Sequence, residues 1–170
     1  MPWRILVADD DPEICTLIKT ILRSQTFDVT VCSDAESALV HLQRDRVPYD
    51  VLISDFMLPG ISGIELITMV RANPQTAKIP ILMISGHSNY AMDARAKGAG
   101  ADHFLNKPFT LSQLRTTVTT LASKYRPLPP DEMVPSRPAA APAPPPPVRT
   151  GPEPIRVTSA FPVADAELPE

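Results

Sequence analysis

The chain has 170 residues, 44% of them hydrophobic, and a formal net charge of -3, which suits one domain with a substantial core and some residues left over. Residues 1–126 carry 13 basic and 13 acidic side chains, and residues 127–170 carry 3 and 6, so neither part offers the basic footprint that nucleic acid or an anionic membrane surface requires. No apolar run approaches the roughly 18 residues of a membrane span, and the start MPWRILVADD has neither a long apolar stretch nor a small-residue cleavage site; a cytoplasmic protein with no nucleic-acid or membrane partner is expected.

In chain order, WRILVA (Trp3–Ala8) reads as the first strand. Asp11 as N-cap and Pro12 at the first helical position open a helix whose Ile14, Leu17, Ile18, Ile21 and Leu22 recur along one face. DVTVC (28–32) is the second strand. Ser33 and Glu36 then form a capping-box pattern before Ala38, Leu39 and Leu42. DVLIS (50–54) is the third strand, and it stops abruptly at Asp55, where a partly dehydrated carboxylate needs a cation, a hydrogen-bond network or a chemical task. The turn LPGISG leads into a helix marked by Ile64, Ile67 and Val70 and closed by Asn73-Pro74. IPILMIS (79–85) is the fourth strand, followed by an alanine-rich helix over 89–97 that Gly98 is expected to end. HFLN (His103–Asn106) is the fifth strand, and Thr110 with Gln113 forms another capping-box pattern before Leu114, Val118 and Leu121. Cys15 and Cys32 fall in apolar periodic segments and are expected to be buried thiols, while His41 and His103 have no paired ligands and read as surface or packing residues.

Composition changes after Tyr125: 14 of the 21 prolines lie from Pro127 onward. A folded domain over 1–126 and a proline-rich tail over 127–170 are predicted, the tail extended and partly polyproline II. The tail reads as an inert spacer, and near its end IRVTSAF is a candidate docking peptide as the alternative.

Five alternations of strand and helix predict an α/β fold, a doubly wound five-stranded parallel sheet with helices on both faces. Right-handed crossovers leave few orders, one of them 2-1-3-4-5, the flavodoxin-like order. Ligands of such sheets bind beyond the carboxyl ends of the strands at the switch point. Asp9, Asp10 and Asp11 follow the first strand, Asp55 the third, Ser85 ends the fourth and Lys107 lies just past the fifth. In this order Asp9, Asp10 and Asp55 would converge, and their repulsion calls for a hard cation such as Mg²⁺. With Lys107 and Ser85 alongside, the set describes a site for a phosphoryl group on Asp55.

The blocks ILVADDDP, VLISDFMLPGISG, ILMISG and HFLNKPF resemble those of bacterial response-regulator receiver domains, and the resemblance covers residues 4–124 without an evident insertion. It implies that Asp55 accepts a phosphoryl group from a sensor histidine kinase or a histidine phosphotransfer domain. It also implies that Asp10, Asp55 and the Met57 carbonyl ligate Mg²⁺ while Asp9 acts through a bound water, Asp11 being left to the helix cap. Lys107 would contact the acyl phosphate and Ser85 would turn its hydroxyl toward it. Phe104 stands at the switch aromatic, without the phenolic oxygen often found there. Met57 and His87 match positions that vary water access to the acyl phosphate, and apolar Met57 implies a long-lived phosphoform. Lys107-Pro108 matches a cis peptide.

The reading that results is a stand-alone phosphorylation switch, not an enzyme beyond its own phosphorylation and dephosphorylation. It would meet an unknown target, or a second copy as a homodimer, through its fourth helix, fifth strand and fifth helix. The alternative is a phosphorelay intermediate or phosphate sink. A remote alternative is a haloacid-dehalogenase-type phosphohydrolase with Asp9 as nucleophile, although Glu13 stands where that motif has threonine or valine. No P-loop signature occurs in the chain.

Overall fold

A computed structural model describes residues 1–86 and 90–126. His87, the start of the predicted fourth helix at Asn89, and the tail with its IRVTSAF segment lie outside the described residues. The elements are β1 (Trp3–Ala8), α1 (Pro12–Ile21), β2 (Phe27–Cys32), α2 (Ala35–Arg44), β3 (Val51–Asp55), α3 (Gly63–Ala72), β4 (Ile81–Ser85), α4 (Tyr90–Ala99), β5 (His103–Asn106) and α5 (Leu111–Tyr125). All strand pairs are parallel and the order is β2-β1-β3-β4-β5, the doubly wound arrangement expected from the alternation.

Side chains alternate across a strand, so the two faces of the sheet carry separate cores. Ile5, Val7, Ile53 and Ile84 pack with Ile18 and Leu22 and with Leu114 and Val118 of α5. Leu6, Leu52 and Met83 pack with Leu66 and Ile67 of α3 and Ala96 of α4. The central strands β3 and β4 are buried at every residue, as covered parallel strands must be. Each large apolar side chain removed from water there contributes roughly 1.5–3 kcal/mol. Both cysteines are free and buried, His103 is exposed and His41 is half-buried.

Local chemistry sets where the helices start and stop. Asp11 caps α1, accepting the amides of Glu13 at 2.8 Å and Ile14 at 3.3 Å. Thr110 and Gln113 form the reciprocal capping box that opens α5. α2 corrects the expectation: its N-cap is Asp34, not Ser33, and Asp34 accepts the Ser37 amide at 2.6 Å. A carboxylate accepts from a backbone amide more strongly than a hydroxyl does. Ser33 instead donates to Asp34 at 3.0 Å. The end of α4 is the second correction: Gly98 lies inside the helix, and the chain turns at Gly100, where φ is +109°. A left-handed C-terminal residue favours glycine, and the Ala101 amide bonding back to the Ala96 carbonyl at 3.0 Å closes the turn.

Register brings the strand ends together. Ala8 pairs with Ser54, Asp55 with Ile84 and Ser85 with Asn106. The residues next in line, Asp9 and Lys107, therefore stand at the same edge of the sheet as Asp55.

Candidate functional site

At the end of β1, Asp9 leaves the sheet with its amide still bonded to the Cys32 carbonyl at 3.1 Å. Its carboxylate turns back to accept the Asp11 amide at 2.9 Å. The three successive aspartates thus divide: Asp9 is buried with a side chain 0% exposed, Asp10 is exposed, and Asp11 caps α1. At the end of β3, one oxygen of Asp55 accepts the Met57 amide at 2.8 Å, and the other accepts the Lys107 ammonium at 2.8 Å. The same ammonium donates to Asp9 at 2.8 Å.

Lys107 is held by its own backbone. Its amide bonds to the Ser85 carbonyl at 2.7 Å, and its bond to Pro108 is cis, as the resemblance implied. Ser85 is itself buried at the end of β4. Phe104 is half-buried against the α3–α4 core. Met57 is 65% exposed, and its backbone amide bonds to the Asp55 carboxylate.

Burial is the first cause of the electrostatics here. Removal from water pushes the Asp9 carboxyl above the ordinary aspartate value; the Asp55 charge adds to this, and the hydrogen bonds from Lys107 and from the Asp11 amide oppose it without prevailing. For Lys107, burial alone would lower the ammonium. Its hydrogen bonds to Asp55 and Asp9, with their charges, outweigh burial and hold it above the ordinary lysine value.

Lys107 thus bonds both Asp9 and Asp55, while Asp10, exposed at the rim, shares with Asp9 a cleft of about 520 Å³ that Pro12, Lys19, Ser37 and His41 also line. Among the described residues no three histidine, cysteine or carboxylate side chains are gathered as a ready metal cluster. The Lys107 ammonium stands between the two buried carboxylates instead. The donors on offer, carboxylates of Asp9, Asp10 and Asp55 and the Met57 carbonyl, are all hard oxygens, which fits Mg²⁺ better than a softer ion.

Two features escaped the sequence reading. Ser62 and Glu65 form a full capping box at the start of α3, and the S-x-x-E signature was legible in SGIE. Ser54 is a fully buried polar residue directly before Asp55, and its hydroxyl donates to the Asp55 carbonyl at 3.0 Å. Its only signal was a hydroxyl inside an otherwise apolar strand.

Residues 5–119 match the family of the response regulator receiver domain. The chain is 33% identical to the phosphate regulon transcriptional regulatory protein PhoB of Rhizobium meliloti, an alignment covering 73% of this chain and 54% of that protein. It spans about half the length of the curated relatives it matches. Among solved structures it is similar to a putative response regulator from Chloroflexus aurantiacus, 32% identical with a TM-score of 0.68, over 72% of this chain and 99% of that one. It is also similar to the receiver domain of a sensor histidine kinase from Pseudomonas aeruginosa, which has a magnesium ion coordinated in its active site cleft. That likeness is 26% identical with a TM-score of 0.66, over 72% of this chain and 99% of that one.

Proposed function

The chain belongs to the response regulator receiver domains of two-component signalling, and on that premise we propose that Asp55 accepts a phosphoryl group from a phosphohistidine on a kinase or phosphotransfer domain. The observation that carries this reading is the Lys107 ammonium donating at 2.8 Å to both Asp55 and Asp9 beyond the carboxyl ends of the strands. A carboxylate poised between a fixed cation and a backbone amide is an oriented nucleophile.

In the transfer, an Asp55 oxygen attacks phosphorus as the nitrogen–phosphorus bond of the donor breaks, and the electron pair leaves with the imidazole, which takes up a proton. Lys107 follows the charge from the carboxylate to the phosphoryl oxygens. The Ser85 hydroxyl, at the end of the neighbouring strand, turns toward the same group. Asp10, Asp55 and the Met57 carbonyl would ligate Mg²⁺, with Asp9 acting through a water, and the ion's chemistry there is to screen acceptor from donor charge. Met57 presents no polar side chain to orient an attacking water, which supports a long-lived phosphoform.

The output is a change of partner affinity. Movement of Ser85 and Phe104 toward the phosphorylated site would reshape the face of α4, β5 and α5, and a target protein or a second copy would read it. None of the described helices is long and apolar enough to cross a membrane, which accords with a cytoplasmic setting. The haloacid-dehalogenase-type alternative is set aside by the family match.

The test is intact mass after incubation with Mg²⁺ and acetyl phosphate. Wild type gains one phosphoryl group that is labile in base, and Asp55→Asn gains none. A gain that survives in Asp55→Asn would overturn the assignment.

A further inference from the structure

β3 is apolar from Val51 to Ile53, then places a fully buried serine before its last residue. Nothing in the phosphoryl transfer above uses that hydroxyl. Ser54 lies on the same face as Leu52, away from the Asp55 carboxylate, so it cannot touch a phosphoryl group. It touches the Asp55 backbone, donating to the carbonyl oxygen at 3.0 Å.

The chain that leaves Asp55 returns to the same point. The Gly63 amide bonds to the Phe56 carbonyl at 3.2 Å, and a methyl group at Gly63 would stand 2.0 Å from the Asp55 carbonyl oxygen and 3.1 Å from the Ser54 hydroxyl. Neither neighbour is a flexible side-chain end that can swing away: one is backbone, the other a short buried side chain. The Ser62–Glu65 capping box anchors this first turn of α3. The Asp55 carbonyl is therefore gripped between the Ser54 hydroxyl and the bare Cα of Gly63.

Holding that carbonyl fixes the plane of the Asp55–Phe56 peptide. The plane sets the exit of the acidic side chain and the course of the next two residues, and so the aim of the Met57 amide at Asp55 Oδ2, 2.8 Å away. We propose that Ser54 and Gly63 are positioning residues for the phosphoacceptor: they clamp the Asp55 backbone so that its carboxylate keeps the direction that Lys107 and the Met57 amide share. The inference rests on the reading of Asp55 as acceptor. Misplacement of a reacting group by a fraction of an ångström is enough to slow a transfer, and about 1 Å costs on the order of a hundredfold.

The test compares Ser54→Ala, Ser54→Thr and Gly63→Ala with wild type, using acetyl phosphate with Mg²⁺ for the rate and the Met57 amide proton resonance, recorded without phosphodonor, for the clamp. Ser54→Ala keeps a cooperative thermal transition, is phosphorylated about tenfold more slowly, and moves the Met57 amide resonance upfield as its bond to Asp55 loosens. Ser54→Thr restores the donor, and with it the rate and the resonance. Gly63→Ala shifts both readouts further; should it fail to fold, the two Ser54 variants still decide. A Ser54→Ala protein with wild-type rate and resonance overturns the clamp. So does one that is slow but neither shifts Met57 nor is rescued by Ser54→Thr, because that pattern is general destabilisation. A wild type that takes no phosphoryl group overturns the acceptor reading instead, and the Met57 resonance then judges the clamp alone.

Discussion

The two ends of the sheet carry ion-pair networks of similar make and opposite character. At the carboxyl end, Lys107 serves two buried carboxylates, and burial still pushes the Asp9 carboxyl up. At the amino end, Arg4 bonds to Asp45 at 2.9 Å and to the Val47 carbonyl, and lies 4.2 Å from the Tyr49 ring centre. Asp45 also accepts the Tyr49 hydroxyl at 2.6 Å, and with the Arg4 hydrogen bond this holds its carboxyl below the ordinary value. The amino-end carboxylate favours folding by being ionised. The Asp9 carboxylate opposes folding when ionised, a cost often found at functional sites.

Removing the shared cation breaks the contrast most severely. Lys107→Ala leaves Asp9 and Asp55 facing each other without a counter-charge. Phosphorylation by acetyl phosphate is expected to fall by about 10²–10³-fold, the size of losing one oriented electrostatic partner, as read by initial rates. The matching cut at the other end, Arg4→Ala, removes a hydrogen-bonded ion pair and a cation–π contact. It is expected to cost about 2 kcal/mol in urea unfolding while leaving the phosphorylation rate within about twofold. An Arg4→Ala rate as low as that of Lys107→Ala would erase the distinction between the ends.

Acid separates them further. Because the folded state holds the Asp9 proton more tightly than the unfolded chain, Asp9 favours folding at low pH, and that contribution is lost as pH rises through its raised folded value. Asp9→Asn is therefore expected to be more stable than wild type at pH 7 without added metal, an advantage that vanishes in acid, while its phosphorylation slows. The smallest effect belongs to Asp45→Asn, with the opposite sign. The lowered Asp45 value contributes above the unfolded aspartate range and is lost as pH falls through the folded value, so the variant's modest deficit at pH 7 should close in acid. Thermal unfolding from pH 3 to 8 reads both trends.

Much of this organisation was legible in the chain alone. Alternating apolar runs and helical stripes dictated five strands and five helices, because period-2 and period-3.6 burial leave different marks. Asp9 and Asp55 stood out as carboxylates at the ends of apolar strands that had to be buried, and Lys107 as a cation just past the fifth strand. The misreadings were local, displaced by one or two residues: Ser33 against Asp34, and Gly98 against Gly100, where nearby residues of similar propensity compete and small differences in hydrogen-bond strength and backbone angle decide.

What the sequence determined by itself was therefore the fold class and the list of groups at the carboxyl edge, since hydrophobic periodicity is a property of the chain. Which groups touch was decided only in three dimensions. Register between strands 21 to 46 residues apart set Lys107 between Asp9 and Asp55 and left Asp10 at the rim. The return of the chain at Gly63 pressed α3 onto the Asp55 carbonyl beside the Ser54 hydroxyl. Contacts of that kind depend on distances of tenths of an ångström between segments remote in sequence, and no local pattern encodes them.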